Sequence, residues 1–209
     1  MFLSENIVLQ AYRKGMFPMS DSLDDPYIFW VNPEQRGIIY LNDFKVSKSL
    51  RKIIRKENYV IKVNKDFKKV IKLCAKNKFR NSTWINKQII DSYTSLSKMG
   101  KAVSIEYYEN NKILGGLYGV ILGEIFCGES MFSLKNNASK ISIVYLAAFL
   151  KQAGFRIIDT QFYSEHLSQF GTIEIPQSEY LNILKENDDK KDLYFEKKLN
   201  KSVLSFFKS

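Results

Sequence analysis

Glu129 lies in the run Phe-Cys-Gly-Glu-Ser-Met-Phe-Ser, residues 126–133, where polar and apolar side chains mix with no clean period. Core packing alone does not call for an acid at that place. Further along, Asp159 and Gln161 stand two apart in Ile-Asp-Thr-Gln, residues 158–161. On a strand, both side chains leave the same face while Thr160 leaves the other, so the two can act together. Glu129 falls near the C-terminal end of the neighbouring strand of an expected parallel pair, and ligands of such sheets bind beyond the carboxyl ends of the strands. The chemistry open to such a set is proton transfer and the positioning of a reacting group. A plainer reading stays open beside it, in which the carboxylates accept backbone hydrogen bonds at strand ends and the glutamine faces solvent.

Other catalytic patterns are missing from the sequence. There is no G-x-S-x-G, a single histidine, His166, and no Cys-His signature around Cys74 or Cys127, so covalent catalysis is not expected. Two cysteines and one histidine cannot by themselves build a structural zinc site, and no metal is expected. No P-loop or G-x-G-x-x-G occurs. The turn "CGESMFSLKNNASK", residues 127–140, lacks the Q-x-x-G-x-G type of loop that holds the pyrophosphate of coenzyme A.

The elements that must position these residues read as α+β. Up to about Asp43 the chain looks irregular apart from a short helix through "NIVLQAYRKG", and three of the four prolines fall in this part; residues 1–43 read as a small N-terminal domain or lid. From Ser47, "SKSLRKIIRKE" sets Leu50, Ile53 and Ile54 on one side and Lys48, Arg51, Lys52 and Arg55 on the other. That basic amphipathic helix is either an ordinary surface helix or one that contacts phosphates. A strand through "NYVIKVN" follows, then helices through "KDFKKVIKLCAKN" and "INKQIIDSYTSLSKMG".

"AVSIEYYE", a turn at Asn110–Asn111, "KILGGLYGVIL", Gly123 and "EIFCGES" read as a three-stranded antiparallel meander. "ASKISIVYLAAFLKQAG" is apolar around most of its circumference and so is a buried helix, with Asn136 or Asn137 as its cap. It is the crossover that makes "FRIIDTQFY" parallel to the preceding strand, and the sheet mixed. A helix "SEYLNILKE", a charged linker "NDDKKD" and an aromatic tail close the chain. The order suggests an acetyltransferase-like (GNAT-type) sheet with helices over residues 44–209, although several α+β folds share such a string.

At 209 residues, 45% hydrophobic and 14% aromatic, the chain is long enough for a substantial core and is not disordered. No run approaches the roughly 20 apolar residues of a membrane span, and the N-terminus has no signal peptide pattern, so a cytoplasmic location is expected. Lys and Arg number 32 against 22 Asp and Glu, a net charge of +10. That balance fits a polyanionic partner such as nucleic acid, and equally a lysine-rich solvated surface.

With the motifs laid out, the chain resembles the leucyl/phenylalanyl-tRNA–protein transferases. The resemblance rests on "AYRKGMFP" (11–18), "FKVSKSL" (44–50), "TWI" (83–85), "GGLYGVILGEIFCGESMFS" (115–133), "NASK" (137–140), "IDTQ" (158–161) and "EIP" (174–176), in family order. It implies an enzyme that moves leucine or phenylalanine, and less readily methionine, from its tRNA to the N-terminal Arg or Lys of a protein, marking that protein for degradation. It implies a small N-terminal domain followed by an acetyltransferase-like domain, with no metal and no nucleotide cofactor, because the ester bond to tRNA already stores the free energy for an amide. Asp159 and Gln161 would then orient or deprotonate the acceptor amine, with Gln161 relaying between amine and Asp159, and Glu129 would stand near the aminoacylated 3′ adenosine. Leu117, Phe126, Met131 and Ile158 would line the pocket for the transferred side chain, and Trp84 would stack on the terminal adenosine. Lys48, Arg51, Lys52 and Arg55 would hold acceptor-stem phosphates.

The sequence departs from the family pattern in places. The chain begins only ten residues ahead of Ala11, shorter than the family's usual stretch with its G-G-D-L block. Met19 stands where the family has the tryptophan of F-P-W, and Ser164-Glu165-His166 stands for Asn-Glu/Asp-His. Two other readings remain: an N-acyltransferase with another donor, and an RNA-binding derivative without catalysis. Nothing demands more than a monomer.

Overall fold

The computed structural model describes residues 3–56, 58–76, 83–187 and 190–208. Seven helices and nine strands alternate along them in the order α1 (Glu5–Arg13), β1 (Phe17–Met19), β2 (Phe29–Val31), β3 (Gln35–Tyr40), α2 (Lys48–Ile54), β4 (Val60–Val63), α3 (Phe67–Ala75), α4 (Lys87–Lys98), β5 (Ala102–Glu109), β6 (Lys112–Leu122), β7 (Ile125–Ser133), α5 (Ala138–Ala153), β8 (Ile157–Gln161), α6 (Glu165–Ser168), β9 (Ile173–Pro176) and α7 (Gln177–Asn187). β1 and β2 form a two-stranded sheet, and the other strands form one seven-stranded sheet in the order β4-β5-β6-β7-β8-β3-β9. Every pair in that sheet is antiparallel except β7 with β8, which run parallel on either side of α5. The mixed α+β sheet and its buried crossover helix are therefore those expected.

Alternation along the strands divides the core into two layers. Ile38, Tyr118, Val120, Ile125, Cys127 and Ile157 pack toward α1, α3 and α4. Their neighbours Ile39, Leu117, Ile121, Phe126 and Ile158 pack toward α2, α5 and the C-terminal tail. Each fully buried side chain of this kind contributes roughly 1.5–3 kcal/mol. α5 explains part of the glycine-rich block. A Cβ on Gly115 would sit 2.5 Å from that of Ala138, so only glycine lets β6 and the first turn of α5 approach so closely.

Local signals placed most helices well. Ser4, Ser47, Asp66 and Asn86 cap α1 to α4 by accepting from the backbone N–H three residues on, the usual N-cap bond. Asn110 and Asn111 take positive φ of 46° and 60° between β5 and β6, the mirror-image turn that matches strand twist. Asn137 is at the start of α5 as expected, but its backbone is left-handed and its side chain makes no capping bond.

Two expectations change. The segment to Asp43 is not irregular, since it holds β1, β2 and β3, and β3 lies inside the large sheet between β8 and β9. Residues 35–40 are thus built into that sheet and not into a unit running to residue 43. Their pattern, Gln-Arg-Gly-Ile-Ile-Tyr after Pro33, hides a strand because it contains a buried arginine and a glycine. The stretch expected as a charged linker is also anchored where described. Asp192 accepts from Gly123 N–H at 2.7 Å and pairs with Lys101, and Phe195, Val203 and Phe207 are buried beyond it.

Candidate active site

β7 and β8 stay paired only from Ile125–Ile157 to Cys127–Asp159. Past that point residues 128–133 and 160–164 contribute to the lining of a cavity of about 720 Å³, whose far wall includes Ser139, Ile143 and Leu146 of α5. Leu117, Phe126, Met131 and Ile158, the four apolar positions singled out in the sequence, all line it, and so does Trp84. Met19 also faces it, and His166 lies at its edge, where burial first and the charge of Lys140 second hold the imidazole pKa below its usual value. No helix among the described residues is long and apolar enough to cross a membrane.

Glu129 is the acid of this cavity. Its side chain is 8% exposed, and its Oε1 accepts from the Tyr12 hydroxyl at 2.5 Å and from Gln161 Nε2 at 3.0 Å. Tyr12 shares a further hydrogen bond of 2.6 Å with Tyr93. Two elements, α1 and the end of β8, thus converge on one oxygen, and α4 backs the first of them through Tyr93. The other oxygen, Oε2, is buried with no partner among the described residues. Burial raises the Glu129 pKa from 4.5 to about 7, helped by the Asp159 charge and opposed by the bonds from Tyr12 and Gln161. A carboxyl of that pKa in the wall of a cavity is suited to proton transfer near neutral pH.

Asp159 is placed differently from the expectation. It is fully buried. Its Oδ1 accepts from Arg36 Nε at 2.9 Å and from the Gln161 backbone N–H at 2.8 Å. Its Oδ2 accepts from Arg36 Nη2 at 2.6 Å and from the Tyr180 hydroxyl at 2.7 Å. A carboxylate has about four lone-pair sites, and all are filled. The Gln161 amide turns to Glu129, so the Asp159 carboxylate meets only the backbone of Gln161. Gln161 takes a left-handed φ of 65°, a conformation that costs a non-glycine residue about 1–3 kcal/mol. The bonds at its N–H and its side chain hold it there.

Lys48, Arg51, Lys52 and Arg55 sit on and just after α2, and none lines the cavity. Arg51 bonds the carbonyls of Val46 and Lys208; Lys48, Lys52 and Arg55 are exposed. Sequence reading missed Tyr12, Arg36, Tyr93 and Tyr180. A signal for two of them existed. Tyr12 follows Val8 and Leu9 on the buried face of α1, and Tyr93 follows Ile89 and Ile90 on that of α4; a buried tyrosine needs a partner for its hydroxyl.

With this geometry in view, two family models match. That for the leucyl/phenylalanyl-tRNA protein transferase covers residues 38–185, and that for the N-terminal domain of the same proteins covers residues 3–34. The chain belongs to the leucyl/phenylalanyl-tRNA protein transferase family. Its class is therefore aminoacyltransferase. One relative, the leucyl/phenylalanyl-tRNA–protein transferase of Rhodopseudomonas palustris (strain TIE-1), is 43% identical over 186 residues, 88% of this chain and 83% of its own. The solved structure of L-PGS from Bacillus licheniformis aligns with 75% of this chain and 53% of its own at 15% identity and a TM-score of 0.41, a likeness that carries no weight for the site.

Proposed function

We propose that this transferase moves leucine or phenylalanine, and less readily methionine, from tRNA to the N-terminal Arg or Lys of acceptor proteins in the cytoplasm, marking them for degradation. The observation that carries the reading is the apolar cavity lined by Leu117, Phe126, Met131 and Ile158, with the carboxyl-bearing Glu129 in its wall. The transferred side chain fills the apolar part. Selectivity among Leu, Phe and Met is loose, because a methylene in such a site is worth only about 1–3 kcal/mol and the flexible Met131 adapts to its guest. Trp84 stacks on the terminal adenine, and the exposed cations of α2 hold phosphates of the acceptor stem.

The acceptor α-amine has an ordinary pKa of about 7.7–8.0 and attacks only when unprotonated. The neutral amine attacks, and the Glu129 carboxylate accepts the one proton that the nitrogen sheds as the C–N bond forms, while Gln161 and Tyr12 hold Oε1. A C–N bond forms at the ester carbonyl, the ester C–O bond breaks, and the proton ends on the ribose hydroxyl that leaves. The amine is a competent nucleophile for an activated ester, so orientation supplies much of the acceleration. We place the small N-terminal unit at residues up to 34, with the catalytic unit after it, acting as a monomer.

The test is to incubate the purified protein with separately charged Leu-, Phe- and Met-tRNA and peptides beginning with Arg, Lys or Ala. Mass spectrometry should find Leu or Phe added to the Arg and Lys peptides and not to the Ala peptide. Unchanged masses throughout, with tRNA still bound, would replace this reading with that of a non-catalytic RNA-binding protein.

A further inference from the structure

Arg36 is the least expected residue of the fold. It lies on β3, between β8 and β9, with 1% exposure. Its guanidinium donates to both oxygens of Asp159 at 2.9 and 2.6 Å, and its remaining Nη1 donates to the Gly15 carbonyl at 2.9 Å. The rings of Phe17 and Tyr180 lie 4.9 and 4.4 Å from it. A planar fork suits a carboxylate in a way a lysine ammonium does not. Burial alone would lower the pKa of this guanidinium, but the Asp159 charge and its hydrogen bonds outweigh that and raise it.

What the arginine does follows from the groups on its far side. Besides the two bonds from Arg36 and the one from Tyr180, Asp159 accepts from the Gln161 N–H at 2.8 Å. That bond fixes the bend at which β8 ends and from which the Gln161 amide reaches Glu129. Beside Arg36, Gly37 pairs with Gln161 in register, and a Cβ there would meet Phe162 backbone atoms at 2.5 and 2.6 Å. β3 therefore presses against the bend with no room for a side chain. Through the Gly15 carbonyl the same arginine also holds the turn after α1, the helix that carries Tyr12. Both donors to Glu129 Oε1 are tied to one guanidinium.

We propose that Arg36, together with Tyr180, is a positioning residue for the transfer step, acting through Asp159 and the Gln161 backbone to set the orientation of the Gln161 amide and of Glu129. Asp159 is then a fixed anchor and takes no proton from the acceptor amine. This rests on the function proposed above, and it adds that the charge nearest the reacting amine is Glu129 alone.

The experiment measures kcat and KM for leucyl transfer to an Arg-initiated peptide in the wild type, Tyr180→Phe, Arg36→Lys, Gln161→Ala and the double variants of each of the first two with Gln161→Ala. A misplacement of about 1 Å can lower a rate about 10²-fold, so Arg36→Lys should lose about that in kcat, and Tyr180→Phe about 10-fold, with KM for either substrate little changed. Both losses should largely vanish in the Gln161→Ala background, where there is no amide left to position. Losses that multiply with that of Gln161→Ala, or that appear in KM, would overturn the proposal. Should Arg36→Lys fail to fold, Tyr180→Phe, which keeps the ring over the guanidinium, decides the matter. An inactive wild type would count against the proposed reaction itself, whereas an active wild type with unchanged variants counts against the positioning role alone.

Discussion

Replacing Glu129 by Gln should slow transfer and, at alkaline pH, stabilise the protein. The carboxyl is buried and its pKa rises from 4.5 to about 7 on folding. The folded state therefore resists ionisation. In the wild type that penalty is absent below about pH 4.5, grows as the pH rises, and is complete above about pH 7. Each pH unit between the two values corresponds to about 1.4 kcal/mol, which makes the full penalty about 3 kcal/mol. For a chain of this size about 1 kcal/mol moves Tm by roughly 2–4 °C, so the Tm of Glu129→Gln relative to wild type should gain roughly 6–12 °C between the acidic and alkaline ends. The amide oxygen can still accept from Tyr12, which keeps the substitution nearly isosteric. Thermal unfolding of both proteins across that range is the assay, with kcat for transfer expected to fall at least 10²-fold in the variant. A Tm offset that does not change with pH would mean that no carboxylate is held there with a raised pKa, and the assignment of the proton acceptor would fail with it.

Removing the Tyr12 hydroxyl as Tyr12→Phe takes away a bond that lowers the Glu129 pKa. The acid limb of the kcat profile should then move to higher pH, and an unmoved limb would separate Glu129 from that limb. Trp84→Ala should raise KM for aminoacyl-tRNA by about 10-fold or more with little change in kcat, since a stacked base is worth about 1–3 kcal/mol. Met131→Ala should alter the ratio of kcat/KM for Leu and Phe donors by about 10-fold, the scale of a methylene or two in an apolar site. Affinity for tRNA should fall steeply with added salt as counterions are released from phosphates, a trend that titration at several ionic strengths would show.

How much of this was legible depends on the distance over which each residue finds its partner. The meander, the parallel pair and α5 follow from periods and turns within a single stretch, and each is where the sequence puts it. Leu117, Phe126, Met131 and Ile158 lie in the recognisable motifs, and the cavity gathers all four. β3 was not legible, because its signature residues Arg36 and Gly37 are explained only by Asp159 and Phe162, which lie more than a hundred positions away. For the same reason Asp159 reads in sequence as a free acid beside Gln161, and in space is enclosed by Arg36 and Tyr180. A carboxylate's availability is decided by long-range donors, and no local spacing reports them.

The most direct test of the account is a crystal structure with a non-hydrolysable 3′-aminoacyl-adenosine carrying phenylalanine. The phenyl ring should lie among Leu117, Phe126, Met131 and Ile158, the adenine should stack on Trp84, and the carbonyl should face Glu129 and Gln161. A ligand bound with its carbonyl turned away from Glu129, or seated outside this cavity, would contradict the central claim.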